Sequence, residues 1–461
     1  MNTMGNTGSP AKVGLFEKIS YGAGDTGFNF YWTTISAFLM IFYTDVFGIS
    51  AAAAGTMLLT TKIVDAITDP IMGAIADRTK TKWGKFRPYI LWMIIPMIGA
   101  GVLTFSTPDL DEGGKLIYAY ATFTLLMVIY TAINIPYNAL SGVMTPDGQQ
   151  RSTIISFRFI GGFLGGTIVT YFTPPLVKYL STTFGGGDET VGWQLVMVVY
   201  GIIAGLLFLN LFLNTRERVE PLQEKNASPL RDIRDLTQNG PWVVLFFLAL
   251  IIMVTITLRM STSAYYMKYY IERPDLTGAF LTVYGIALAV GSACTPILTR
   301  FFDKKHILMV LMAIVGVLCV AFYFVPKDQI GVLFALQILI GLTLGPKSPL
   351  AYSMYADTAD YNEWKTGRRA TAMTFSAATF SQKLGGALAS FVIGIVFSAL
   401  GYVANQAQTG ASQSGIVMLM TLAPGAVALF AAIITGFYSL TKQDLDTIQI
   451  DLAERKLASH D

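Results

Sequence analysis

The chain has 461 residues and a net charge of +3, with 53% hydrophobic but only 13% charged residues. Globular proteins carry about 25% charged residues, so this composition excludes a soluble globular protein. Apolar runs of about 20 residues recur, and each is long enough to cross a bilayer as a helix. The isolated cysteines and histidines indicate neither a disulfide framework nor a histidine metal site.

Twelve apolar runs are predicted to be transmembrane helices, which makes the protein an all-α membrane protein. In chain order, the runs lie near 27–48, 50–76, 88–107, 116–144, 153–173, 193–214, 241–270, 276–298, 307–325, 330–355, 371–401 and 415–440. Pro70, Pro136 and Pro349 lie within or near these runs and are expected to break the backbone ladder locally.

The loops indicate the orientation. Lys and Arg are concentrated at 77–87, in a central linker at 215–240, and near 300–305 and 365–369, all on one side of the predicted spans. By the positive-inside rule, both termini and the linker are expected to be cytoplasmic, in a bacterial inner membrane. The polar N-terminal residues do not form a cleavable signal, so the first span is expected to be retained.

The central linker divides the chain into two six-helix halves, 1–214 and 241–440, followed by a cytoplasmic tail at 441–461. Glycine pairs recur in span 5 (Gly161 and Gly162) and span 11, which is a weak internal echo. Two parallel six-helix halves with a site at the midplane describe the major facilitator fold. Close helix packing is the alternative explanation of the glycine pairs.

Span 2 contains ionisable residues, which are costly in hydrocarbon and therefore indicate a functional site. Asp65 and Asp69 are one turn apart and Lys62 precedes Asp65 by three residues, so all three lie on one face. With the Thr68 hydroxyl, the carboxylates supply hard oxygen ligands for a small cation or a shared proton. Alternatively, Lys62 and Asp65 neutralise each other, which leaves Asp69 unexplained.

Cations outnumber acids within the predicted spans. The cations are Lys62, Arg158, Arg259, Lys347 and Lys383, and the acids are Asp25, Asp65 and Asp69. The surplus predicts an anionic substrate, such as a uronate, unless Arg158 or Arg259 is a snorkelling anchor at the interface. Lys383 has no acid in its own span, so the span-2 carboxylates are its expected partners.

Neutral polar side chains form a second group. Asn29 is in span 1, and span 4 places Thr131, Asn134, Tyr137 and Asn138 within two turns. Amides that bond hydroxyls, with an aromatic platform for the ring face, are typical of a sugar site. Interhelical hydrogen bonding is the alternative.

Several stretches together resemble the glycoside–pentoside–hexuronide:cation symporter family, over nearly the whole chain. They are Lys18-Ile19-Ser20-Tyr21-Gly22-Ala23-Gly24-Asp25, Asp65-Ala66-Ile67-Thr68-Asp69-Pro70-Ile71-Met72-Gly73, Lys82-Trp83-Gly84-Lys85-Phe86-Arg87-Pro88, Asn134-Ile135-Pro136-Tyr137 and Ala356-Asp357-Thr358-Ala359-Asp360-Tyr361-Asn362-Glu363. The resemblance implies that Asp65 and Asp69, helped by Thr68 and Thr131, bind the coupling cation and that Lys383 faces this site.

The resemblance also implies a sugar site near Arg158. Asn29 and Asn134 stand where the melibiose permease pattern has sugar-binding aspartates, and Asn138 stands where it has a stacking tryptophan, so an α-galactoside substrate is not expected. The substrate-binding candidates are Asn29, Asn134, Tyr137, Asn138, Arg158, Thr379 and Lys347. Lys62 and Lys383 are the candidates for coupling.

Together these features predict a cation-coupled symporter for a glycoside, pentoside or hexuronide, driven by sodium, lithium or protons. No Walker-type phosphate-binding motif occurs in the sequence, so no nucleotide or other cofactor is expected. The expected partners are a sugar and membrane lipid, without nucleic acid, and the expected state is a monomer. The alternatives are a lysolipid carrier of the same fold and, from another class, a membrane enzyme.

Overall fold

The computed structural model describes residues 13–145, 147–218, 234, 236–367 and 371–458. Helices account for most of these residues, and the only β pairing among them is an isolated bridge between Thr81 and Gly84. The remainder of the predicted linker, 219–233 and 235, lies outside the described residues, as do the basic residues Arg368 and Arg369.

Twelve helical runs and one C-terminal helix follow each other along the described chain. The runs are α1 (Leu15–Thr34, continued by the π-helical turns Ile35–Leu39 and Phe42–Phe47), α2 (Ala51–Arg78), α3 (Arg87–Trp92 and Ile94–Thr104), α4 (Glu112–Val143), α5 (Gly148–Phe184), α6 (Glu189–Asn214), α7 (Gly240–Tyr265, continued by π-helical Tyr266–Tyr270), α8 (Thr277–Ala293 and Thr295–Phe301), α9 (Lys304–Tyr323), α10 (Ile330–Leu344 and Lys347–Thr366), α11 (Thr371–Ala399), α12 (Gly410–Met420 and Leu422–Gly436) and α13 (Lys442–Ala458).

Nine helical stretches among the described residues are long and apolar enough to cross a membrane. They correspond to α4 through α12. The helices α1 and α2 carry ionisable residues among their apolar ones, and α3 is divided at Met93. The twelve predicted spans therefore each match one helical run.

The three prolines within the predicted spans differ in their effect on the helices. Helices α2 and α4 continue through Pro70 and Pro136, where only the hydrogen bond of the missing N–H is lost. Helix α10 is interrupted ahead of Pro349, at Gly345 and Pro346. The local break in the ladder at Pro70 and Pro136 is therefore limited to that bond, and neither helix ends there.

The chain packs as two compact units, which differ from the predicted halves in one segment. The first unit contains residues 1–35 and 63–223, and the second contains 36–62 and 224–461. The end of α1 and the start of α2 thus pack with the second unit. Within the first unit, α1 lies against α5 and α6; within the second, α7 lies against α11, α8 against α10, and α9 against α12.

The repeated glycine pairs are points of close helix approach. A Cβ atom added at Gly161 would collide with the main chain of Gly22, and one added at Gly385 would collide with the main chain of Leu250. The packing explanation of these glycines therefore agrees with the geometry.

Hydrogen bonds of two carboxylates, Glu217 and Glu17, hold the start of the linker against the first unit. The Glu217 side chain accepts hydrogen bonds from the main-chain N–H groups of residues 85, 86 and 87 at 2.8, 2.8 and 3.0 Å, and so caps the start of α3. Glu17 accepts two hydrogen bonds from Arg218 at 2.7 and 2.8 Å, and this pairing raises the pKa of Arg218.

Candidate functional site

Asp65 and Asp69 lie one turn apart on α2 and converge on a single hydroxyl of α4. The Oγ1 atom of Thr131 is 2.9 Å from Asp65 Oδ1 and 2.9 Å from Asp69 Oδ1. Asp65 is buried and Asp69 is half-buried. The Thr68 hydroxyl donates to the main-chain oxygen of Asp65 at 3.2 Å. The structure therefore brings together all four residues predicted to bind the cation.

The hydroxyl of Thr131 lies between two carboxylates. A hydroxyl has one proton, so Thr131 can donate to only one of the two carboxylates at a time. Two carboxylates that share a buried site repel each other, and a proton or a small cation between them removes the repulsion. With two carboxylates and one hydroxyl oxygen, the site offers hard ligands suited to Na⁺, Li⁺ or a shared proton.

The two lysines predicted to take part in coupling are both half-buried and both belong to the second unit. Lys62 is on α2, three residues before Asp65, at the point where the helix passes from one unit to the other. Lys383 is in the middle of α11. Their role in coupling stays a prediction.

The candidate asparagines make their hydrogen bonds within their own helices. Asn29 donates to the main-chain oxygen of Asp25 at 3.0 Å and accepts from Thr33 at 3.2 Å. Asn138 donates to Asn134 at 2.9 Å. The Oδ1 atom of Asn138 is buried, and no hydrogen-bond partner for it occurs among the described residues. The interhelical alternative is therefore not what these contacts show.

Tyr137 is a packing residue, which corrects its prediction as an aromatic platform for a sugar ring. It is fully buried, and its ring stacks on Tyr21 with 4.6 Å between the centroids. The two tyrosines also exchange hydrogen bonds, since each hydroxyl donates to the other's main-chain oxygen. Because its ring is covered in this way, Tyr137 joins α1 to α4 and presents no open face to a ligand.

Arg158 forms an internal ion pair and is not a snorkelling anchor. Its Nε atom is 3.0 Å from Asp25 Oδ1, and its guanidinium lies over the Tyr137 ring at 5.3 Å. The exposed fraction is 32% for the Arg158 side chain and 15% for that of Asp25. The pair is therefore largely enclosed in the first unit, with part of the guanidinium accessible.

The two candidates from the second half are less closely defined. Thr379 is exposed, and its hydroxyl donates to the main-chain oxygen of Phe375 at 3.0 Å. Lys347 is half-buried at the start of the second segment of α10, without an ion pair or hydrogen bond to any residue in the described ranges. Their participation in substrate binding remains a prediction.

Arg259 has a structural role, which corrects its interpretation as a charge that attracts an anionic substrate. Only 1% of it is exposed. One Nη atom hydrogen-bonds Gln337 Oε1, and the other donates to the main-chain oxygen of Met420 at 2.8 Å. These contacts bury the guanidinium within the second unit, although its Nε atom has no hydrogen-bond partner among the described residues, so Arg259 has no exposed surface with which to contact a ligand.

The sequence analysis did not identify Asp45, which is a further buried acid. Asp45, near the end of α1, is at the centre of a cluster with Lys268, Tyr269, Tyr402 and Asn405, here termed the Asp45 clasp. Its carboxylate accepts from Lys268 at 2.7 Å and from both tyrosine hydroxyls, while Asn405 donates to its main-chain oxygen. An acid inside the aromatic run at 42–47 was the available signal.

Comparison with known proteins gives relatives over the full length of the chain. The Escherichia coli (strain K12) inner membrane symporter YicJ is 38% identical over 442 residues, covering 95% of this chain and 95% of the relative. The isoprimeverose transporter of Lactiplantibacillus pentosus is 36% identical over 435 residues, covering 92% and 89%. Both alignments include the helices that carry the two carboxylates and the paired asparagines.

Solved structures agree on the fold. A D-xylose–proton symporter superposes with a TM-score of 0.65 at 16% identity, covering 91% of this chain and 96% of that one, and so confirms the all-α major facilitator fold. The model of the family described as MFS/sugar transport protein matches residues 20–442. With two full-length relatives above one-third identity, this match shows that the chain belongs to the MFS/sugar transport family, and it is accordingly a multi-pass membrane transporter and not an enzyme.

Proposed function

We propose that the protein is a secondary active symporter that couples a sodium, lithium or proton gradient to the uptake of a sugar glycoside, pentoside or hexuronide. The observation that carries the proposal is the shared contact of Thr131 with Asp65 and Asp69. The names of the relatives, an inner membrane symporter and an isoprimeverose transporter, support the same activity.

The proposed mechanism follows from charge. Without a cation, two carboxylates meet at one hydroxyl, and their repulsion weakens this contact between α2 and α4. Cation binding neutralises the carboxylates, and sugar binding occurs in the same unit, at the asparagines and the Asp25–Arg158 pair. Each ligand then favours the same conformations, so the fully loaded and empty forms interconvert while half-loaded forms are disfavoured.

In this proposal Lys62 and Lys383 compete with the cation for the carboxylates, and Thr379 and Lys347 complete the substrate contacts from the second half. We also propose, from the positive loops, that both termini and the linker are cytoplasmic and that the protein lies in a bacterial inner membrane. The transporter acts as a monomer surrounded by lipid.

Transport into proteoliposomes tests the proposal. Radiolabelled sugars from a panel of xylosides, glucosides and glucuronides are offered with an imposed gradient of Na⁺, Li⁺ or H⁺, each alone. We expect accumulation above equilibrium for at least one sugar with one gradient, and its collapse when an ionophore dissipates that gradient. Equilibration at the same rate with and without every gradient would identify a uniporter and contradict the proposal.

A further inference from the structure

The polar side chains of the first unit carry no net charge where the sugar is proposed to bind. We propose that Asp25 is a specificity-determining residue that adapts this site to neutral sugars, glycosides or pentosides, and against uronates. The inference rests on the proposed sugar symport and deepens it by naming the substrate class. It reverses the expectation of an anionic substrate that the surplus of cations suggested.

The first step is the Asp25–Arg158 pair. The carboxylate and the guanidinium are in direct contact at 3.0 Å, and both belong to the first unit. An anionic ligand that approaches Arg158 therefore also approaches Asp25, so that repulsion from the acid offsets most of the attraction from the base. A ligand carboxylate would lose its hydration here without a net positive charge to replace it.

The backbone around the pair keeps this arrangement in place. A Cβ atom added at Gly162 would lie 2.5 Å from Asp25 Oδ2 and 3.2 Å from Asn29 Nδ2. The glycine therefore provides the space in which the Asp25 carboxylate and the Asn29 amide lie side by side on α1. The position of Asp25 is thus fixed by α5 on one side and by its own helix on the other.

The second step is the set of hydrogen-bonding atoms that remain. Within the described chain, the two Nη atoms of Arg158 make no hydrogen bond, so they are available as donors. The buried Oδ1 atom of Asn138 is available as an acceptor. A sugar hydroxyl both donates and accepts, and it satisfies either type of atom. A carboxylate only accepts, so the group that distinguishes a uronate from its neutral sugar cannot itself donate to the Asn138 oxygen.

The third step concerns the other cations. Arg259 is buried against Gln337 and the Met420 main chain, so it is not exposed to contact a ligand. Of the candidate cations, Lys347 has neither an ion pair nor a hydrogen bond with the described part of the chain, and it belongs to the second unit. Lys347 is therefore the first cation to test for a preference for acids, which makes Lys347→Gln the discriminating variant.

The test compares matched sugars in competition. Uptake of a radiolabelled neutral glycoside is inhibited by methyl β-D-glucoside, methyl β-D-xyloside or methyl β-D-glucuronide, and the acid-to-neutral ratio of half-inhibiting concentrations is measured. We expect a ratio above about 10 for the native protein, which corresponds to about 1.4 kcal/mol. Asp25→Asn exposes the Arg158 charge and should lower the ratio at least tenfold. Arg158→Gln should raise it.

The double variant Asp25→Asn/Arg158→Gln removes both charges and should return the ratio to within threefold of the native value. Size-exclusion profiles in detergent show whether each variant folds, and the two single variants shift the ratio in opposite directions, so either one suffices. A native protein that prefers the glucuronide, with a preference lost in Lys347→Gln, would overturn the inference. So would a folded Asp25→Asn or Arg158→Gln variant with the native ratio. Absence of uptake of any sugar by the native protein would instead contradict the proposed symport itself.

Discussion

At the scale of single residues, the most informative contact is the hydroxyl that two carboxylates share. Asp65→Asn and Asp69→Asn each remove one charged ligand, so we expect both variants to lose concentrative uptake. Exchange of sugar across the membrane should persist, because the amides and the Asp25–Arg158 pair are left in place. Counterflow in proteoliposomes measures exchange and gradient-driven uptake measures coupling. Native accumulation by both variants would contradict the assignment of the cation site.

Thr131 offers a finer test of the same site. Thr131→Val keeps the size of the side chain but removes the oxygen that contacts both carboxylates at 2.9 Å. A hydrogen bond to a charged group contributes about 1.5–3 kcal/mol, so the cation concentration for half-maximal uptake should rise about tenfold or more. Thr131→Ser keeps the hydroxyl and is the matched control. Equal cation dependence in the two variants would mean that the hydroxyl is not a ligand.

The sequence identified these residues because ionisable groups within apolar runs are rare. The i, i+4 spacing of Asp65 and Asp69 predicted their common face, the family resemblance added Thr131, and the structure places the Thr131 hydroxyl 2.9 Å from both carboxylates. Tyr137 and Arg259 were misinterpreted for one reason: side-chain type does not reveal whether a group is already satisfied. The stacking partner Tyr21 lies 116 residues from Tyr137, and Gln337 lies 78 residues from Arg259.

At the scale of helices, the prediction gave the number of runs but not their ends. The first span was predicted to begin at 27, whereas α1 begins at Leu15. Glu17 and Asp25 lower the hydropathy of residues 15–26, so the span was predicted to begin after them. In the structure Glu17 pairs with Arg218 and Asp25 pairs with Arg158, and the helix extends through both acids. Such pairings connect distant parts of the chain, and a hydropathy window along the sequence does not register them.

The interruption of α12 at Thr421 shows how one buried arginine supports a helix break. Pro424 has no N–H, so the Met420 carbonyl four residues earlier lacks its usual intrahelical partner. Arg259 donates to this carbonyl at 2.8 Å. In the sequence, Pro424 indicates that the carbonyl of Met420 lacks a helical partner, and Arg259 is a candidate donor in another span.

Arg259→Gln should therefore destabilise the protein by about 2–4 kcal/mol, because it leaves the Gln337 and Met420 oxygens without their donor. Thermal unfolding of the detergent-purified protein should show a lowered Tm. Pro424→Ala supplies an N–H to Met420 and should recover part of the loss in the double variant. If Arg259→Gln keeps the native Tm but changes only the ligand preference, the arginine belongs to the ligand site after all.

At the scale of the whole molecule, the two six-helix halves of the sequence and the two packing units differ by residues 36–62. This segment belongs to the first half by its position in the chain, yet it packs with the second unit. Hydropathy and charge predict which helices exist and which loops are cytoplasmic, but they do not predict which helix end packs with which unit. The Asp45 clasp is one of the polar contacts that join this segment to the rest of the second unit, together with the hydrogen bonds of Thr44 and Ser36 to α7.

The clasp provides the last prediction. Asp45 has only 2% of its side chain exposed, and its carboxylate is 2.7 Å from Lys268 Nζ, which also donates to Asn405 Oδ1 at 2.7 Å. Breaking a buried ion pair by removing one partner costs about 3–5 kcal/mol, so Asp45→Asn should loosen residues 36–62 from the second unit. Hydrogen exchange of this segment should accelerate at least tenfold, and uptake should slow while sugar binding persists, because alternating access depends on such helix-end contacts.

Arg273→Gln is the matched control: its ion pair with Asp275 is exposed, so its loss should change neither measurement. Native exchange rates at 36–62 in Asp45→Asn would show that apolar packing alone holds the segment.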